Sequence, residues 1–209
     1  MANGFWALTG NSGTKPPTDF VGTTDSQPLV IMAGGKEWLR VDTSGNVGIG
    51  TTTPTEKLSV SGNVSVTGDV VLAGADCAEH FDVSGGECPE PGTVVVIEQG
   101  GTVRESRDAY DKKVAGVVSG AGGYRHAIIL DKRSSEEYRI PVALAGKVYC
   151  KVDADYSPIE VGDLLTTSHT PGHAMKAADP AKAFGSVIGK ALGRLERGQR
   201  LVPILIALQ

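Results

Sequence analysis

Large rings are scarce in this chain: Phe, Trp and Tyr make up 5% of its 209 residues. The apolar inventory therefore rests on Val, Ile, Leu and Ala, which argues against a helical bundle packed around aromatic side chains. No apolar run approaches the ~20 residues a membrane-spanning helix needs, so no membrane insertion is expected. The start, Met1-Ala2-Asn3-Gly4-Phe5-Trp6, lacks the basic region and long apolar stretch of a secretion signal, which predicts synthesis in the cytoplasm without a signal peptide. Basic residues do not dominate: 20 Lys and Arg face 24 Asp and Glu, for a net charge of -4. No basic block is interleaved with aromatics, which excludes the usual nucleic-acid footprint. The three cysteines, Cys77, Cys88 and Cys150, cannot all pair within one chain and none forms a Cys-x-x-Cys motif, so a disulfide framework is not expected. Phosphate-cradling loops, nucleophile elbows and metal-hydrolase motifs are absent as well, and no cofactor is implied.

Glycine and proline are abundant instead, at 28 and 11 residues, and they cut the chain into short pieces. From 1 to 58 the pieces favour strands: Phe5-Trp6-Ala7-Leu8, Pro28 to Met32, Trp38 to Val41 and Val47-Gly48-Ile49. Hairpin and loop signals such as Gly34-Gly35 and Ser44-Gly45-Asn46 separate them. So small a ribbon buries too little surface to stand alone, and an identical chain is the simplest partner.

Residues 59–74 carry a short repeat. Gly62, Gly68 and Gly74 stand six apart as turn glycines, and Val64 and Val66, then Val70 and Leu72, place apolar side chains two residues apart on one face. That phase suits a β-prism or β-helix in which several chains wind together, with those four residues as the trimer core. A plain hairpin whose glycines fall in register is the other reading.

From 75 to 209 the texture is that of a globular β domain. Continuous apolar runs predict strands at Thr93 to Ile97, Val114 to Val118, Ala127 to Leu130, Tyr138 to Leu144, Lys147 to Val152, Asp163 to Thr167, Ser186 to Lys190 and Leu201 to Leu208. Helix is expected only over Arg107 to Lys113 and Pro180 to Phe184. Pro203 predicts an edge position or a bulge in the last strand, because proline cannot donate to the ladder. The fold class is all-β: an elongated trimeric β-prism or β-helix-like fibre, then a compact β-rich C-terminal domain.

Two stretches resemble known families. Phe5 to Asn11, Phe20 to Leu29 and Gly45-Asn46-Val47-Gly48-Ile49-Gly50-Thr51-Thr52-Thr53-Pro54-Thr55-Glu56-Lys57-Leu58 resemble the repetitive head of phage tail-fibre and related bacterial fibre proteins. Those are trimers, found on phage tails and on phage-derived contractile injection particles. The resemblance implies a homotrimeric appendage of a virion or extracellular injection particle, with other tail or baseplate components as partners. Gly74-Ala75-Asp76-Cys77-Ala78-Glu79-His80-Phe81, with Val114 to Gly120, Ile159 to Leu165 and Gly185 to Leu192, is similar to the C-terminal domain of the G2 intramolecular-chaperone autopeptidase family. There the domain helps a fibre trimerise, and some members then cut themselves near an Asp-Tyr-Ala-Glu motif. Here the corresponding residues are Asp76, Cys77, Ala78 and Glu79, with Cys for the tyrosine and His80 for the following aromatic.

Self-cleavage by Asp76 and Glu79 would need one acid protonated and one ionised, both within reach of one peptide bond. Residues three apart on a strand face opposite ways, so the two converge only in a turn or between chains. The expectation is a chain that is not an enzyme and stays whole, with these acids catalytic only if it self-cleaves. Cys77-x-x-His80 with Cys88 has zinc-ligand types but not finger spacing, and no fourth ligand is evident; no metal is expected, and small buried thiols are the plainer reading. His169 and His173 flank a Thr170-Pro171-Gly172 turn and are expected to be exposed. A cell-surface glycan is a partner suited to a fibre tip, but Tyr110, Tyr124 with Arg125, Tyr138 and Tyr156 are too scattered to define its site.

Overall fold

The computed structural model describes residues 7–133 and 138–208. The described chain is nearly all β, and it separates into one unit up to Val70 and a second from Val71.

The first unit holds four short strands: β1 (Leu29–Ala33), β2 (Lys36–Val41), β3 (Val47–Ile49) and β4 (Leu58–Val60). They form one sheet in chain order, antiparallel except that β4 runs parallel to β3. Gly34 and Gly35 turn β1 into β2 with φ of 60° and 73°, the pair of positive values that a two-residue hairpin loop demands. Asp42 shapes the next turn, its Oδ1 accepting from the amides of Ser44 and Asn46 at 2.8 Å each. β4 was not among the expected strands. Of the expected strand Phe5 to Leu8, Phe5 and Trp6 lie outside the described residues, while Ala7 and Leu8 belong to an exposed turn closed by Gly10 N–H on Ala7 O at 2.9 Å.

Between β4 and the next strand, residues 61–75 carry no strand. Val64, Val66, Val70 and Leu72 are 69%, 52%, 64% and 45% exposed.

The second unit is a ten-stranded sheet: β5 (Asp76–Asp82), β6 (Val94–Ile97), β7 (Val103–Glu105), β8 (Val114–Val118), β9 (His126–Leu130), β10 (Arg139–Asp153), β11 (Leu164–Thr167), β12 (Ala174–Lys176), β13 (Val187–Ala191) and β14 (Gln199–Ile206). One path runs β12-β11-β13-β14-β10, and a parallel β10–β12 contact at Val152 and Ala174 closes those strands into a barrel. The path continues from β10 through β8 and β6 to β7, while β5 pairs with β10 and carries β9 on its far side.

β10 joins the two expected strands, Tyr138 to Leu144 and Lys147 to Val152, into one of 15 residues. A register shift between Ala143 and Ala145 and φ of 98° at Gly146 bend it, and its C-terminal part then runs antiparallel to β14. Val148, Cys150, Val152, Leu165, Ile188 and Ile204 belong to one core cluster. A second cluster joins Val95, Val103, Ala115, Val118, Ile140 and Val142, with Phe81, Val83 and Leu144 packed against it.

Two expectations need correction, and the helix expected at Pro180 is present. Arg107 to Lys113 is a run of turns, not a helix, because Tyr110 stands at φ 58°, outside any right-handed helix. Pro203 causes no bulge and pairs regularly with Tyr149 of β10. Its carbonyl accepts from Leu192 at 2.9 Å, just past the end of β13, so the missing N–H faces a side where the neighbouring strand has already stopped. The Pro180 helix is α1 (Pro180–Ala183), capped by Asp179 Oδ1 accepting from Ala181 N–H at 3.0 Å.

Candidate functional site

β5 begins at a close backbone crossing in the second unit. Gly74 passes β9 so closely that a Cβ on it would lie 2.3 Å from the amide nitrogen of Ala127, and a Cβ on Gly146 would lie 2.4 Å from the carbonyl oxygen of Ala75. Only glycine fits at either place. Gly62 has φ of 148°, and neither Gly68 nor Gly74 has a positive φ. Gly74 is thus required by close approach rather than by turn conformation.

Asp76, next along, is 3% exposed, and neither of its carboxylate oxygens has a hydrogen-bond partner among the described residues. It pairs with Gly146 on one side and His126 on the other. Such a group is uncommon in a folded protein, since burying an unpaired polar atom costs about 1–3 kcal/mol. Glu79 is half-buried on the same strand. The register shifts lie on β10 and β9, so β5 itself alternates regularly and directs Asp76 and Glu79 to opposite faces. Within one chain the two carboxylates do not converge.

The far end of β5 is tied down by Arg139, whose side chain is 4% exposed. Its guanidinium donates to His80 O at 2.6 Å and Asp131 O at 3.0 Å, and pairs with Asp82 at 3.3 Å and with the Asp131 carboxylate. Hydrogen bonds from Arg139 and then Arg133 hold the Asp131 carboxyl below its ordinary range. The clamp joins the ends of β5 and β9 to the start of β10, and the sequence reading missed it. An arginine at the head of a long apolar strand was the available signal.

The metal-ligand types do not gather. Cys77 and His80 lie on opposite faces of β5, and no group of three or more His, Cys, Asp or Glu suited to a metal exists among the described residues. The thiols are not uniformly buried as expected: Cys88 is exposed, Cys77 half-buried and Cys150 buried. Burial pushes the Cys150 thiol up to about 12, leaving it inert. His169 is exposed, whereas His173 is half-buried with Nδ1 2.7 Å from Pro171 O.

The tyrosines likewise make no shared platform. Tyr124 stacks on Tyr149 at 5.0 Å, Tyr110 accepts from Asp179 N–H at 3.0 Å, and Tyr138 and Tyr156 are each 50% exposed. A polar cleft of 620 Å³ lies between Val83 to Glu90 and β6–β7. Its charges largely satisfy one another, with Glu98 accepting from Ser84 at 2.6 Å and Arg104 at 2.7 Å, and Lys151 pairing with Glu90 at 3.2 Å. No nucleophile and base are paired there. No helix among the described residues is long and apolar enough to cross a membrane.

No protein-family model matches this chain, and no curated protein sequence matches it significantly. Two of the solved structures similar to this chain match it at low identity. The C-terminal fragment of bacteriophage phi29 gene product 12 is 16% identical over 63% of this chain and 100% of that one, with a TM-score of 0.42. The pre-mature form of the same phi29 product is 15% identical over 82% of this chain, with a TM-score of 0.49, and this chain spans 24% of its length.

Proposed function

We propose that this chain is a structural subunit of a homotrimeric fibre or appendage, on a phage tail or a phage-derived contractile injection particle. The barrel-bearing body drives trimer registration and caps the stalk. The carrying observation is the segment 61–73, in which Val64 and Val66, then Val70 and Leu72, stand two residues apart, form no strand and are 69%, 52%, 64% and 45% exposed. Burying each such side chain is worth ~1.5–3 kcal/mol, multiplied by every chain that joins. Copies of the same segment, all in one register, satisfy that demand most simply. The proposed place of work is the particle, reached without membrane insertion and without nucleic acid as partner. Light scattering on the purified protein is expected to give three chains; a monomer at micromolar concentration overturns the reading.

A second reading, self-processing at the junction, draws on the buried and unpartnered carboxylate of Asp76. The opposite facing of Glu79 on β5 argues for a chain that stays whole. Intact mass after denaturation is expected at 21.7 kDa. A fragment beginning near Asp76, lost in Asp76→Asn and Glu79→Gln, would establish self-processing instead.

A further inference from the structure

β9 is a strand with an unusual exposure. Its sequence, His126-Ala127-Ile128-Ile129-Leu130, is apolar on both faces, yet among the described residues it pairs only with β5. Ile128 and Leu130 are 44% and 47% exposed. Edge strands in soluble proteins are usually blunted by a lysine, a proline or a bulge; β9 has a register shift at Ala127, against β5, but no lysine or proline from Ala127 to Leu130. Cys77 and Glu79 pair with Ile128 and Leu130 in register, so the four share one face of the sheet, with Phe81 next along β5.

We propose that this face, Ile128 and Leu130 with Cys77 between β9 and β10, is where the folded C-terminal body of one chain meets a second copy of the same chain. The inference rests on the trimeric reading above and names its contact. Its carrier is covalent continuity. Ala75 N–H donates to Arg125 O at 2.7 Å, and Gly74 lies against the Ala127 backbone with no room for a Cβ. The chain therefore emerges from the segment ending at Leu72 within about one strand spacing, ~4.8 Å, of β9. Chains wound together through Leu72 are delivered side by side at Ala75, and β9 is the first folded surface that each presents. The wound segment lies on the threefold axis and ends about one strand spacing from β9, so residues 128 and 130 of each chain lie beside that axis and within reach of their own equivalents on the next chain.

The test uses the full chain with Cys88→Ser, so that Cys77 is the sole accessible thiol beside buried Cys150. Two further variants add Cys77→Ser with either Ile128→Cys or Leu130→Cys, and Val161→Cys, on a residue 66% exposed, serves as comparison. Each is treated with a short bis-maleimide and run under denaturing conditions, with light scattering on the same sample. The expected result is a product of twice the chain mass from position 128 or 130, at least fivefold above that from 161. A trimer by light scattering in which 128, 130 and 77 all take a monofunctional maleimide but give no linked product overturns the proposed surface and leaves the trimer standing. A monomer overturns the trimeric reading and this surface together. If Ile128→Cys fails to fold, the Leu130→Cys and Cys77 arms decide.

Discussion

The four strands of the first unit and the ten of the second are built from similar residues and differ in what they bury. Among the described residues up to Val70 only Gly48 is buried, and Ile31, Met32, Trp38, Ile49 and Leu58 are 53%, 60%, 50%, 41% and 60% exposed. From Ala78 onward, Val, Ile, Leu and Ala fill two clusters at or near zero exposure. The difference is closure. A four-stranded ribbon with short strands has two faces and nothing to lay over either, whereas a sheet whose β12 returns to β10 shields its own interior. Apolar content alone does not make a core; a second layer must be present, supplied by the chain itself or by copies.

The sharpest way to break this contrast is to charge the segment proposed to pack against copies of itself. Val66→Asp would place three carboxylates near one axis, where at least one must take a proton or push the strands apart. Trimer yield is expected to collapse by light scattering while Ser65→Asp, on the opposite face, is tolerated. Equal tolerance would show the facing assignment to be wrong. In the closed unit the effect is energetic rather than all-or-none. Leu165, 0% exposed, should cost about 2–5 kcal/mol when cut to alanine, read as a lower midpoint in urea. Met32→Ala should cost little unless assembly covers it, so a loss exceeding ~1 kcal/mol there would place Met32 in a contact between chains.

Smaller still is a steric contrast between glycines. Gly74→Ala should destabilise by about 1–3 kcal/mol through collision with the Ala127 backbone, while Gly68→Ala, with nothing within 4 Å, should be near neutral. The smallest effect is with pH. Burial raises the Asp153 carboxyl, but hydrogen bonds from Thr170, the Asp155 amide and Gln199 outweigh it and hold the group below its ordinary value. A depressed folded value adds stability that is present above the unfolded value, ~3.9, and is lost as pH falls through the folded one. Asp153→Asn should flatten the acid limb of the stability curve below pH ~4, and an unchanged slope would remove Asp153 from the account.

Strands such as β6 and β8, built of Val, Ile, Ala and Gly, were legible because burial on both faces leaves a run with no polar interruption. β5 was not. Asp-Cys-Ala-Glu-His-Phe-Asp mixes charge into both faces, and it becomes a strand because β10 and β9 flank it rather than through its own propensity. β7 and β12, with three residues each, are too short for any period to show. The helix expected at Arg107 to Lys113 failed at Tyr110, whose positive φ leaves no mark in composition. Asp76 and Glu79 were recognisable as a pair of acids, and their opposite facing followed from spacing alone. The burial of Asp76 and the Arg139 clamp did not, since Asp76 is flanked by His126 and Gly146 and Arg139 reaches back to His80 and Asp82, all distant along the chain.

β14 lies between β10 and β13, and it is the last strand in chain order. During synthesis, β10, β11, β12 and β13 all leave the ribosome before the strand that joins β10 to β13 exists, so the barrel stays open until the chain has been made past Ile206. Contacts this distant along the chain form slowly. The segment 61–73 is therefore made many seconds before the barrel can close, and truncated chains carry it without the closure.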